Sequence, residues 1–230
     1  MQSNIAPEAE WLEADGLGGF ASGTVSGIRT RRYHALLLVA TDPPAGRVVL
    51  VNGFDAWLDT AGGTFAITSQ RYAPDVVHPD GMGRIEKFAP DPWPTWTYVF
   101  ENGLRLVQEV FVRHGTQFVC VSWRMLGRKP EGRLRVRPFL SGRDYHALHH
   151  RNPSFNFDAR VNGNTVTWQP YGSHPRVLSV SNGAYRHEPT WYANFLYTHE
   201  RERELDCVED LGSPGVLEWD LSTGPAVWML

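Results

Sequence analysis

The 230-residue sequence predicts an all-β protein, a large antiparallel β-sandwich, on three observations. Short apolar runs recur along the chain, each closed by turn-forming residues. Asn-Gly pairs at 102–103, 162–163 and 182–183 fall within β-rich sequence, and Asn-Gly between two such runs is the strongest short hairpin signal. Sixteen prolines and twenty-two glycines punctuate the chain too often for long helices. Many short strands without alternating helical segments argue for a sandwich or barrel rather than a βα fold.

The elements follow in order. Tyr33 to Ala40 is an apolar run between Arg31-Arg32 and Asp42-Pro43-Pro44, and Arg47 to Val51 repeats the pattern. Trp96 to Phe100 and Leu104 to Val112 flank the first Asn-Gly pair as a hairpin, and Gln117 to Leu126 follows. In Leu134 to Leu140, Leu134, Val136, Pro138 and Leu140 alternate with Arg133, Arg135 and Arg137, which predicts a strand with one wet face. Pro138 places that strand at an edge or a bulge. Arg160 to Trp168 and Val177 to Tyr185 read as further hairpins on their Asn-Gly pairs. Trp191 to Tyr197 and Val216 to Leu221 read as late strands, and His199 to Asp210 as one or two helical turns. With no repeat and no low-complexity linker, one domain over residues 1–230 is expected; a break near 141–155 is the alternative. The apolar ending Trp228-Met229-Leu230 reads either as a cut before further protein or as a docked last strand.

Composition excludes several classes. A net charge of −3 gives no basic footprint for nucleic acid. No apolar run reaches the roughly 18 residues that a membrane helix needs, and residues 1–10 carry no secretory signal pattern. Two cysteines, Cys120 and Cys207, stand outside any metal or redox spacing, which fits buried thiols in a cytoplasmic chain. Neither a membrane nor a nucleic acid is expected as a partner.

Two familiar patterns fail on context. Gly16-Leu17-Gly18-Gly19-Phe20-Ala21 fits a dinucleotide fingerprint, but the segment after it is rich in Gly, Thr and Val, and a phosphate site needs a helix N-terminus there. It reads instead as a tightly bent turn. His146, His149 and His150 lack a fourth ligand at usual spacing, so no metal and no cofactor is expected.

Two polar clusters survive because each interrupts strand-like sequence. Arg31-Arg32-Tyr33-His34 precedes one apolar run, and Arg143-Asp144-Tyr145-His146 follows another. Arg offers a planar fork of donors, and Tyr an apolar face with a hydroxyl. Such a set can hold a sugar ring. The first reading of these arginines is nonetheless structural, pairing with Asp144, Glu209 or Asp210 to tie loops together, with ligand contact second. Trp93, held between Pro92 and Pro94, and Trp191 read first as core packing and second as stacking platforms for sugar. No spacing among Asp144, Glu209 and Asp210 marks the two carboxylates that glycoside hydrolysis needs, so no catalytic residue is assigned.

Taken together, three ordered blocks resemble a known family. Glu10-Trp11-Leu12, Gly16 to Gly27, and Thr30-Arg31-Arg32-Tyr33-His34-Ala35-Leu36-Leu37, continued by Pro43 to Arg47, are similar to the opening of the glycogen debranching enzyme N-terminal domain of archaeal and bacterial type. Arg137-Pro138-Phe139 with Arg143 to His146 is similar to a second block. A third runs from Trp191 to Phe195 through Tyr197, Glu200, Arg203, Asp206, Glu209, Asp210 and Leu211 to Ser213-Pro214-Gly215. The sequence departs from the family pattern mildly, with Ala35 where Gly is usual. The resemblance implies a β-supersandwich of the kind seen in galactose mutarotase and the N-domain of bacterial glucoamylases. It also implies a separate (α/α) barrel that cleaves α-1,6 branch points, and glycogen or branched α-glucan and that barrel as partners. By the same analogy, Arg31, Arg32, Tyr33, His34, Arg143, Asp144, Tyr145, His146, Trp93 and Trp191 are the candidates for carbohydrate-binding or barrel-facing positions. Fold alone does not fix that role.

Overall fold

The computed structural model of the protein describes residues 6–101, 103–127 and 131–230. Its strands are β1 (Glu10–Ala14), β2 (Phe20–Thr24), β3 (Ala35–Asp42), β4 (Ala45–Thr60), β5 (Gly63–Ala66), β6 (Ser69–Tyr72), β7 (Val76–Asp80), β8 (Ile85–Ala89) and β9 (Thr95–Val99). They continue as β10 (Arg105–Val112), β11 (Val119–Leu126), β12 (Arg133–Asp144), β13 (Ala159–Asn162), β14 (Thr165–Trp168) and β15 (Val177–Ser181). Last come β16 (Ala184–Leu196), β17 (Val208–Asp220) and β18 (Ala226–Met229). Among the described residues they form two antiparallel sheets, one of them strongly curled, consistent with the expected β-sandwich. The first runs β1-β2-β3-β4-β12-β17-β16-β6-β7, with β5 paired to β4; the second runs β13-β14-β15-β18-β11-β10-β9-β8. The chain crosses between them repeatedly, and one hydrophobic core draws residues from both. No helix among the described residues is long and apolar enough to cross a membrane.

The turns show where local signals decide and where they do not. Asn102 lies outside the described residues, but β9 and β10 on either side of it pair antiparallel as expected. The pair at 162–163 also joins a hairpin, with Asn162 opposite Thr165. Asn182-Gly183 does not. It carries the chain from β15 in the second sheet to β16 in the first. The physical reason is the Asn182 side chain. Its Oδ1 accepts from Trp219 Nε1 and from the Val227 backbone N–H, both at 2.8 Å, and its Nδ2 donates to the Pro225 carbonyl at 2.9 Å. The Asn182 side chain, though exposed, thus ties both sheets together.

Other expectations are met in part. Pro138 sits in β12, which lies between β4 and β17 and is therefore not an edge. The registers of β12 with both neighbours shift between Val136 and Leu140, so Pro138 is accommodated at a bulge. The expected wet face of β12 is dry at Arg137, which is buried and bonded to Glu188. The helical turns cover only α1 (Thr198–Glu202); Val208 onward is strand. The glycine-rich stretch is a turn between β1 and β2, where the Asp15 carboxylate accepts from the Leu17 and Gly19 N–H groups at 2.7 and 2.9 Å. The apolar residues Trp228 and Met229 form β18 in the interior of the second sheet.

Aromatic richness goes chiefly to the core. Five of the nine tryptophans are buried: Trp96, Trp123, Trp168, Trp219 and Trp228. Each indole N–H keeps a partner, as burial requires. Trp123 donates to Gln108, Trp228 to Ser179 and Trp96 to the Val25 carbonyl.

One interruption in the first sheet matters below. β3 pairs with β4 only as far as Val51, and β5 joins β4 only from Trp57. Between them β4 has no strand on that side. The segment from Ile67 to Gln70 fills in: Gln70 Nε2 donates to the Phe54 carbonyl, Ile67 N–H to the Ala56 carbonyl, and the Ala56 N–H to Thr68 Oγ1. Asp55 lies in this breach, accepting from Gln70 and Thr68. Burial pushes its carboxyl up to about 7, against the opposing pull of Gln70 and Arg29.

Two predictions follow from this framework. Asn182→Ala should cost about 1–3 kcal/mol in urea denaturation, because it strands the buried Trp219 indole donor, whereas Asn162→Ala at the exposed hairpin should cost well under 1 kcal/mol. For Asp55, the folded state holds a proton that the unfolded chain gives up near the usual carboxylate range. Stability should therefore fall as pH rises from about 4 to about 7, by roughly 1.4 kcal/mol per unit at most. Denaturation of Asp55→Asn across that range should show this component gone; an unchanged slope would exclude Asp55 as its source.

Candidate functional site

The two polar clusters meet. β12 carries Arg143 to its end beside the loop before β3, and a register shift between Leu140 and Arg143 at Gly142 sets the Arg143 side chain inward. Arg143 Nη2 donates to the Arg32 carbonyl at 2.7 Å, and its Nη1 to the Asp144 and Tyr145 carbonyls at 3.2 and 3.3 Å. Arg32 Nη1 reciprocates by donating to the His146 carbonyl at 2.7 Å. Tyr33 Oη lies 3.1 Å from His146 Nδ1, and the Tyr33 ring lies 5.7 Å from both Tyr145 and His146.

Beneath this rim sits a buried carboxylate, Glu209 of β17, which is 0% exposed. Its Oε1 accepts from Arg143 Nε and from the His149 backbone N–H at 3.0 Å. Its Oε2 accepts from Tyr197 Oη, from Asn52 Nδ2 at 3.3 Å and from Arg143 Nη2 at 3.4 Å. Five hydrogen bonds from four parts of the chain thus converge on one carboxylate, the arrangement a fully buried charge requires. Burial and the neighbouring Glu209 charge hold the Tyr197 phenol well above its ordinary range, so it stays a proton donor.

A second anchor uses Glu200 of α1. It accepts from the Arg32 backbone N–H at 3.2 Å and from Arg203 at 2.8 Å, with Arg32 Nε 3.5 Å away. Arg31 pairs with Glu10 at 2.6 Å across the β1 edge. His34 is buried; its Nδ1 accepts the Thr30 N–H at 3.2 Å, which leaves the proton on Nε2 facing Glu10 Oε1 at 3.2 Å. Burial pulls its pKa down to about 4, outweighing the opposite effect of Glu10. His34 is therefore a neutral, structural imidazole at neutral pH.

Of the expected site residues, Arg31, Arg32, Tyr33, His34, Arg143, Asp144, Tyr145 and His146 form one connected group. The expectation of ion pairs is met by Arg143 with Glu209. Arg31 and Arg32 choose Glu10 and Glu200 instead. Asp144 and Asp210 bind backbone N–H groups: that of His146 for the first, those of Arg151 and Asn194 for the second. Asp144 and His146 are exposed, and Tyr33 and Tyr145 half-buried. Arg47 lies over the Tyr145 ring at 5.5 Å.

The tryptophans divide. Trp191 joins the group through His149, whose ring stacks on it at 5.6 Å and 20°. His149 is itself fixed, Nδ1 to the Asp210 carbonyl at 2.7 Å and Nε2 to Tyr171 Oη at 2.6 Å. Burial lowers its pKa. Trp93 contacts other residues: its Nε1 donates to Glu109 and its ring meets Phe111 edge-on at 5.6 Å. Phe111 belongs to a row across the outer face of the second sheet, Phe111-Cys120-Met229-Val180, which Leu178 extends. Phe111 and Leu178 are 40% and 58% exposed.

Of the residues that complete the site, Tyr197 stands in the third family-like block, whereas nothing in the sequence ties Asn52 or Tyr171 to it. They stand within ordinary strand or loop sequence and reach the site only through sheet pairing. Among the described residues, no group of three or more side chains is placed to hold a metal ion.

The family model for the N-terminal domain of glycogen debranching enzyme matches residues 9–228, taking in both sheets and the whole rim. The chain belongs to this family. No curated protein sequence matches it significantly. For a debranching-enzyme N-terminal domain, the geometry assigns Glu209 a holding role: sealed from solvent and gripped by Arg143, it has no access to a glycosidic bond.

Breaking this pair from either side should be costly. Arg143→Met and Glu209→Gln should each lose about 3–5 kcal/mol in guanidinium denaturation, because each leaves a buried charge without its partner. The double variant should lose clearly less than the sum of the two; strict additivity would show that the two side chains act independently.

Proposed function

We propose that this domain binds α-glucan at the rim formed by Tyr33, Tyr145 and His146, and that it packs on a separate catalytic barrel that hydrolyses α-1,6 branch points. In this reading it supplies no catalytic group. Support comes first from the family, and then from one geometric observation: two clusters 109 or more residues apart in sequence place two tyrosine rings and an exposed histidine together on a rigid support. Tyrosine faces and hydroxyls suit the apolar face and the hydroxyl edge of a glucose ring. Arg143, Arg32 and His34 are engaged within the protein, so they position the rim while Tyr33, Tyr145, Asp144 and His146 remain to meet the sugar. The seclusion of Glu209 supports placing acid and base elsewhere, since hydrolysis needs two carboxylates flanking one bond.

A second reading is a domain whose role is only to pack on its neighbour. The exposed row from Trp93 and Phe111 to Leu178 favours it, because an apolar stripe on a sheet face suits an interface.

Isothermal titration with maltooligosaccharide and branched dextrin distinguishes the two. Binding should be measurable at millimolar ligand. Tyr145→Ala should weaken it by about three- to tenfold, and Trp93→Ala should leave it unchanged. Flat heats for the unaltered protein would remove the glucan-binding reading and leave the packing role.

A further inference from the structure

The interruption in the first sheet beside Asn52 to Ala56 opens into a cavity of about 80 Å³. Arg29, Asn52, Gln70 and Gln108 are among its polar lining, and Leu36, Phe54, Trp96 and Tyr98 among its apolar walls. A Cβ at Gly53 would stand 2.6 Å from Arg29 Nη1, so a larger residue there would displace the guanidinium.

Arg29 is only 6% exposed, yet its Nε and Nη2 have no hydrogen-bond partner. The guanidinium lies over Phe195 at 4.8 Å and Phe139 at 5.8 Å, which leaves those donors unanswered. Two other arginines show what this Nε–Nη2 edge takes. Arg135 grips Asp59 with it at 2.7 and 2.9 Å, and Arg105 grips Glu86 at 2.7 Å through both nitrogens. In Arg29 the same fork is buried and empty. Asp55 acts on it through space, but no hydrogen bond joins them, and Asp55 Oδ1 is directed to Gln70 and Thr68. Asn52, 2% exposed, adds an unpartnered acceptor, Oδ1, to the same cavity.

We propose that this cavity binds a compact carboxylate, its two oxygens on the Nε–Nη2 edge of Arg29. Two parallel N–H donors match a carboxylate in spacing and charge. A hydroxyl on the guest would supply the donor that Asn52 lacks, so a small hydroxy acid fits better than a simple one. The volume admits a guest of about four or five heavy atoms and no whole sugar. Asn52 also donates through its Nδ2 to Glu209, so the cavity adjoins the buried support of the rim, while the tyrosine rings that form the rim do not line it.

Thermal unfolding of the 230-residue chain in formate, acetate and glycolate tests this, at constant ionic strength with chloride as reference. The midpoint should rise saturably, most with glycolate. Arg29→Met should abolish the rise. Val110→Leu, which keeps Arg29 but fills part of the cavity from the opposite sheet, should raise the apparent Kd about tenfold and serves alone if Arg29→Met does not fold. No saturable rise in the unaltered protein overturns the proposal, as does an equal rise in Val110→Leu. A crystal grown in glycolate with only water against Nε and Nη2 would overturn it too.

Discussion

The architecture of the rim depends on the buried pair between Arg143 and Glu209. A carboxylate with no exposure to water is tolerable only if every lone pair finds a donor. Here the donors come from β12, β4, the end of β16 and the His149 backbone. The guanidinium in turn uses its remaining N–H groups on the carbonyls of Arg32, Asp144 and Tyr145. The ion pair, with the Arg32 bond to the His146 carbonyl, therefore fixes two loops that no strand pairing holds to each other. Without the pair, only the Arg32 bond to the His146 carbonyl and the contact of Tyr33 with His146 would join them.

This division of labour separates holding groups from presenting groups. Arg143, Glu209, Glu200 and His34 are buried and matched to internal partners. Tyr33, Tyr145, Asp144 and His146 stand above them with surface open to solvent. A binding surface assembled in this way loses little side-chain freedom when a ligand arrives, which suits a weak, repeating polymer such as a glucan. Phe139, Phe195 and Leu211 form a small apolar cluster apart from the main core between the sheets.

The sequence revealed the fold class because its signals are local. Short runs, turn residues and the hairpins after Trp96 and Arg160 follow from backbone preference alone. It misled where a side chain reaches across space. Asn182 reads as a turn residue, yet its amide binds Trp219 and Val227, which lie 37 and 45 positions away. Pro138 reads as an edge marker, yet a bulge lets it sit in the sheet interior. For the site, the two Arg-Tyr-His clusters were visible as polar breaks in strand sequence, and Glu209 was visible as a pairing candidate. Which acid each arginine would choose was not, because Glu10 and Glu200 come close only through the pairing of β1 and the placement of α1. Tyr197 was visible only as part of the third block, and nothing in the sequence told that Asn52 would reach Glu209, 157 positions away.

Amide hydrogen exchange tests the central claim most directly, comparing the unaltered protein with Glu209→Gln under native conditions. If the pair holds both loops, protection should fall together at Arg32, His34, Tyr145 and His146, and persist in the hairpin of β13 and β14. Loss in one loop alone, or uniform loss across both sheets, would contradict the account.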